Sequence, residues 1–219
     1  MQEAFNFLNL LEKNNTREWF SENKPQFQIE EAKIKLFFND IFNELQKSDQ
    51  LESCKVFRIY RDVRFSKEKI PYKTNFSCGM VRAKPHLRGG YYLHLQPQNS
   101  FIGGGFWEPN KEDLLRIRKE FELDSHSILQ ITSSKEFTKT FGKIHGEELK
   151  TAPKGFDKNH EAIDLIRKKQ YLITKKYSDE DVFSSNFKQI VNEDFKQMRP
   201  FFDYMSDILG TDLNGERLI

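Results

Sequence analysis

The apolar residues of this chain change period twice along its length, and that change limits the fold more than any other feature. In the first third they recur at helical spacing: Phe5, Leu8 and Leu11, then, after Pro25, Phe27, Ile34, Phe38, Ile41, Phe42 and Leu45. The second set predicts an amphipathic helix over about residues 26–47 with its stripe turned to a core. Thr16 is placed to cap the shorter run Arg17–Asn23 before it. In the middle third the period falls to two. Phe57, Ile59, Val63 and Phe65 alternate with Arg58, Tyr60, Asp62 and Arg64, the pattern of a half-buried strand over 56–65, with Arg61 the exception on its apolar face. Further strands are expected over 76–82 and 90–103, where Tyr91, Leu93 and Leu95 face one way and Tyr92, His94 and Gln96 the other. Helical spacing then returns. Leu114, Ile117 and Phe121 follow Pro109-Asn110, a short helix is expected over 160–169 and a strand over 171–174. Ser178 and Asp181 form a capping box ahead of the stripe Phe187, Ile190, Val191, Phe195 and Met198.

Helices, a sheet and helices again predict an α+β fold, a central and mainly antiparallel sheet flanked by N-terminal and C-terminal helices. The expected division is helical over 1–50, sheet-forming over 54–107 and mixed, mainly helical, over 108–219. No Pro/Gly/Ser linker divides it, so one domain is expected over 1–219. Apolar residues make up only 37%, but 21 Phe offset this because each buried ring removes a large area from water. The N-terminus lacks the pattern of a signal peptide, and no apolar run approaches the roughly 18 residues of a membrane helix. Cys54 and Cys78 stand outside any CxxC spacing. Together these features predict a cytoplasmic chain with no membrane partner.

The charge is concentrated. Lys55–Lys73 carries seven Lys/Arg against Asp62 and Glu68, in a chain whose formal net charge is +2. Phe57, Tyr60, Phe65 and Tyr72 interleave with the cations. Arg offers a rigid fork of donors that matches phosphate or carboxylate, and aromatic rings offer stacking surfaces. The segment therefore predicts a site for a phosphorylated or otherwise anionic small molecule, built from Arg58, Tyr60, Arg61, Arg64, Lys67, Tyr72 and Lys73. A nucleic-acid-binding module on the same basic face is the alternative, and a solvated strand laced with ion pairs is the purely structural one. Arg61 bears most on the choice, because an arginine buried on an apolar face needs a partner, either a protein carboxylate or a bound anion.

Elsewhere the chemistry is sparser. Gly103-Gly104-Gly105, ahead of a helix, has the composition of an anion-binding turn but matches neither GxGxxG nor the Walker pattern. On a helix over 160–169, His160, Asp164 and Arg167 would share one face, where the Asp can orient the His for proton transfer or pair with the Arg. His94 and His160 are thus the candidates for acid–base work, with Asp164 beside the second. The five His show no metal-ligand spacing and no serine-nucleophile elbow is present, so neither metal nor cofactor is expected. Cys78, between Phe76 and Met80, reads as a buried thiol.

Several runs taken together resemble a known family. They are Asn14–Phe20, Arg58–Lys67 (RIYRDVRFSK), Pro71–Thr74, Gly90–Leu95, Gly103–Gly105, and Pro153–Asp157 with His160. In these the chain is similar to the conserved hypothetical proteins called domain of unknown function 2461, over nearly its whole length. The resemblance implies a single-domain cytosolic protein of bacterial type and brings no activity or catalytic residue with it.

Overall fold

A computed structural model describes residues 1–218. Two helices open the chain, α1 (Gln2–Lys13) and α2 (Arg17–Leu45). Thr16 caps α2 as expected, its hydroxyl accepting from the Trp19 N–H at 3.2 Å. Pro25 does not end a helix, however; α2 runs through it. The donor lost at Pro25 is outweighed by apolar contacts on either side of it, where Phe20 and Phe27 lie 5.2 Å apart and Phe27 reaches Phe7 at 5.9 Å and Phe76 at 6.0 Å.

Five antiparallel strands follow in the order of the sequence: β1 (Leu51–Val56), β2 (Phe76–Arg82), β3 (Gly90–Leu95), β4 (Ser100–Phe106) and β5 (Tyr171–Tyr177). Between β4 and β5 lie α3 (Lys111–Leu123), α4 (His126–Ser133), α5 (Lys135–Phe141) and the single turn α6 (Ile163–Ile166). After β5 come α7 (Asp179–Phe183), opened by the Ser178/Asp181 capping box, then α8 (Phe187–Gln197) and α9 (Arg199–Gly210). The architecture is α+β, with the helices flanking the sheet. The buried apolar side chains form one core from Ala4 to Leu209. No helix among the described residues is long and apolar enough to cross a membrane.

The strand expected over 56–65 is displaced. The ladder between β1 and β2 ends with Val56 opposite Cys78 and one further bond from the Phe57 N–H to the Ser77 carbonyl (2.9 Å). Beyond it the two limbs of the connection pair only once, Tyr60 with Tyr72. Pro71 lacks a donor for a longer ladder, and the like charges of Arg58 and Arg61 both bear on Lys73. Of the residues assigned to the apolar face, Ile59 is buried, Val63 is half-buried and Phe57 is exposed; Arg61 is exposed as well, so its expected burial is corrected.

The glycine run is also not a turn before a helix. It lies inside β4, and two of its members explain its composition. A Cβ on Gly104 would come within 2.7 Å of both Met198 and Phe202, where α8 meets α9. Gly105 takes φ +130°, and a Cβ there would meet the Tyr171 carbonyl oxygen of β5 at 2.0 Å. The glycines let the last two helices and the last strand close onto β4.

Candidate functional site

Residues 57–75, which join β1 to β2, form an arm rather than a strand. Its base is closed by the Arg61 N–H on the Pro71 carbonyl (2.9 Å) and the Lys73 N–H on the Ile59 carbonyl (2.7 Å). It is moored to the helices by Tyr72, whose ring stacks on Phe20 at 4.0 Å between centres, nearly parallel. The Asn15 side chain, between α1 and α2, accepts from the Tyr72 N–H and donates to its carbonyl, both at 3.1 Å. At the tip Arg64 forks onto Asp62, with Nε 2.9 Å and Nη2 2.6 Å from its two oxygens. Phe65 beside it is 93% exposed.

The seven residues expected to bind a ligand separate accordingly. The positive charges of Arg58 and Arg61 both bear on Lys73, and among the described residues none of the three has a carboxylate within ion-pair distance. Lys73 is half-buried; burial first, then the charges of Arg58 and Arg61, hold its ammonium below the usual lysine range. Arg64 is already neutralised by Asp62, and Lys67 is exposed at the tip. Tyr72 is 6% exposed and serves as an anchor instead of a stacking surface. Tyr60 leans on Tyr72, ring centres 5.4 Å apart, and keeps part of its ring in solvent.

Beside the arm lies the face of the sheet turned away from the helices. Register places its residues in rows across the strands. One row runs Lys55, Gly79, Tyr92, Gly103 and Thr174 from β1 to β5; the next runs Ser77, His94, Phe101 and Lys176 from β2 to β5. Phe57 lies over Gly79, where a Cβ would sit 3.4 Å from its ring. The glycine therefore seats Phe57 next to Tyr92, 6.1 Å between centres. Tyr92 is in turn 5.7 Å from Phe101, which stacks on His94 at 4.7 Å. Lys55 and Lys73 each hold their Nζ 5.8 Å from the centre of the Phe57 ring. The expected alternation of β3 thus holds: Tyr92 and His94 share the open face with the basic segment, through Phe57 and Lys73.

Compared with known protein families, residues 3–204 match the conserved hypothetical protein family DUF2461. The chain belongs to this family. The matched span contains the arm, its mooring and all five strands. Comparisons with curated proteins and with solved structures gave no match.

Within this DUF2461 chain the two candidate histidines are both fully engaged. His94 is nearly buried, with Tyr92 Oη 3.0 Å from Nδ1 and Gln96 Oε1 2.9 Å from Nε2. The amide oxygen of Gln96 can only accept, which puts the proton on Nε2 and makes Nδ1 the acceptor for the Tyr92 hydroxyl. Burial, with Lys73 adding to it, lowers the His94 pKa against the pull of Gln96, and burial raises that of Tyr92. Both shifts favour the neutral forms, and the hydrogen bonds link Tyr92, His94 and Gln96 on the open face. His160 accepts from the Ala162 N–H at Nδ1 (3.1 Å) and bonds the Glu122 carbonyl through Nε2 (3.1 Å), so it joins the end of α3 to the turn before α6. The helix expected over 160–169 shrinks to α6, and Asp164 pairs with Arg167 at 3.0 Å rather than with His160.

Sequence reasoning missed a second arginine site. Arg82, the last residue of β2, is completely buried. Its Nη2 donates to Asp49 Oδ1 (3.2 Å) and to Asp203, Nη1 reaches Ser206 Oγ (3.3 Å), and Nε lies 2.8 Å from Asp49 Oδ2, off the hydrogen-bond direction. Tyr91 donates to Asp49 at 2.5 Å, and Arg199 pairs with Asp203 at 3.2 Å. The signal was present in the spacing: Phe76, Cys78, Met80 and Arg82 occupy the core-facing positions of β2. Arg82, rather than Arg61, is the arginine buried on an apolar face, and its partners are protein carboxylates.

Proposed function

We propose that the chain binds a phosphate-bearing ligand that also carries an aromatic ring, of the chemical class of a nucleotide, where the arm meets the open face of the sheet. One observation carries the reading: Lys73, its Nζ 5.8 Å from the centre of the Phe57 ring that lies next to Tyr92, feels the positive charges of Arg58 and Arg61, and among the described residues none of the three forms an ion pair with a carboxylate. Crowding like charges is unfavourable in the free protein, and a phosphate relieves it. The adjoining rings offer stacking to a base. Arg64, tied to Asp62, and Tyr72, stacked on Phe20, hold the arm in shape in this reading. His94 keeps the face in order through Tyr92 and Gln96 instead of transferring a proton.

A thermal-shift series with nucleotides, sugar phosphates and polycarboxylates tests it. Nucleotides should raise Tm most, by an amount equivalent to about 2.7 kcal/mol when the ligand stands at 100 times Kd. The double variant Arg61→Ala/Lys73→Ala should lose that shift while the unliganded Tm stays within the equivalent of about 0.5 kcal/mol of the parent, because the contact Lys73 loses over Phe57 is offset by the like-charge repulsion that is relieved. No shift with any nucleotide, or a shift that survives in the double variant, refutes the proposal.

A further inference from the structure

Resting on that reading, we infer that the ligand is a polymer, a single-stranded nucleic acid laid across the sheet from β1 to β5 with its bases against Phe57, Tyr92 and Phe101. Lys55 and Lys176 stand on the outermost strands, β1 and β5, and both belong to the open face. Both are exposed, and neither has a carboxylate within ion-pair distance among the described residues. Four inter-strand spacings separate the two strands, about 19 Å at the usual 4.8 Å each. That is more than one nucleotide bridges. A mononucleotide held by Arg58, Arg61 and Lys73 leaves Lys176 without a role, whereas a chain of phosphates reaches it.

Between the two lysines the face is built for flat groups. Gly79 and Gly103 flank Tyr92 in its row, so no side chain of theirs rises beside the ring, and Phe101 lies in the neighbouring row on the β5 side of it. The three rings are spaced in steps of about 6 Å, with centres 6.1 Å and 5.7 Å apart in turn. Rings at successive positions with cations at both margins are the combination that holds a strand by stacking and by phosphate contacts, with little dependence on sequence. A duplex keeps its bases inside and offers such a face no flat ring surface, so single strands should be preferred.

Fluorescence anisotropy with labelled oligo-dT of 1, 4, 8 and 12 nucleotides, at 50 and 200 mM salt, tests this on the full chain. Affinity should rise at least tenfold from the mononucleotide to the 8-mer and exceed that for a duplex of equal length. Lys55→Ala/Lys176→Ala should weaken the 8-mer and reduce its log–log salt slope by about 1.4 in total, roughly 0.7 for each lost phosphate contact, and Lys176→Ala alone, on the strand farthest from the arm, should leave the mononucleotide unaffected. Phe101→Leu should weaken the 8-mer by about fivefold or more, the lower limit for one stacked base. Melting of each unliganded variant, expected to match the parent for the lysine pair, confirms the fold. If mononucleotide and 8-mer bind equally, the nucleotide reading stands and the polymer is refuted. Preference for the duplex, or equal competition by heparin, also refutes it. If neither mononucleotide nor 8-mer binds at 50 mM salt, both readings fall.

Discussion

At its two ends β2 meets guanidinium groups in opposite circumstances. Arg82, at the C-terminal end, is sealed from solvent, shared between Asp49 and Asp203, and set over the Phe202 ring at 5.7 Å. Arg58 and Arg61, in the arm that leads into the N-terminal end, are exposed, form no ion pair among the described residues and direct their charge at Lys73. Enclosure demands that a charge be neutralised within the fold, because an isolated buried ion costs several kcal/mol. Exposure makes no such demand: solvent weakens the repulsion of an unneutralised cluster enough for the fold to bear it, and what remains is open to relief by an external anion. The difference separates charge that holds the molecule together from charge it presents outward.

The largest expected effect lies at the buried end. Arg82→Ala leaves Asp49 in the core with the Tyr91 hydroxyl, the Gln50 N–H and the more distant Arg199 as partners, and should lower unfolding free energy by about 3–5 kcal/mol in a denaturant titration. A loss as small as that of a surface substitution would erase the distinction between the two ends. A middle-sized effect is expected at the mooring of the arm. Asn15→Ala removes both hydrogen bonds to the Tyr72 backbone and should cost about 1–2 kcal/mol. Hydrogen exchange should quicken in residues 59–73 and stay unchanged in β3. Equal quickening throughout would mean that the arm and the sheet open as one unit.

The smallest effect is a pH dependence set beside the arm. The folded His94 has a lowered pKa, so below its unfolded value of about 6.5 the unfolded chain binds the proton more readily. Stability is therefore fully present above that value and declines as pH falls from it towards the folded pKa. His145 is shifted in the same direction, so His94→Gln should remove part of the slope of Tm against pH between about 7 and 5 and leave the rest. A slope unchanged by the substitution would mean that His94 titrates as freely as in the unfolded chain.

Much of the sheet was legible because its signal is local. Alternation in Phe76–Arg82 and Tyr91–Leu95 placed β2 and β3 correctly and told which residues share the face with the basic segment. Alternation failed over 56–65 because a strand also needs a partner, and β2 begins only at Phe76. The same limit hid the position of Lys176, since only the pairing of β5 with β4, across a long helical excursion, brings it to the margin of the face. Arg58, Arg61 and Lys73 were identified as cations by composition. That they lack carboxylates while Arg64 does not depends on side-chain placement, which no periodicity encodes.

The strand order carries a consequence for synthesis of the chain. β1 to β4 are complete once residue 106 has been made, but β4 then has a neighbour on one side only, and its other partner spans Tyr171–Tyr177. The helices that cover β3 and β4, α8 and α9, come later still. At a ribosomal rate of about 5–20 residues per second, the half-built sheet waits several seconds with an unpaired margin and a bare apolar side. Such margins invite pairing with other chains. The strand left waiting is the one that carries three consecutive glycines and so offers a neighbouring molecule little side chain to grip. The residues that later admit α8, α9 and β5 also make β4 a poor template for aggregation while the rest of the chain is being translated.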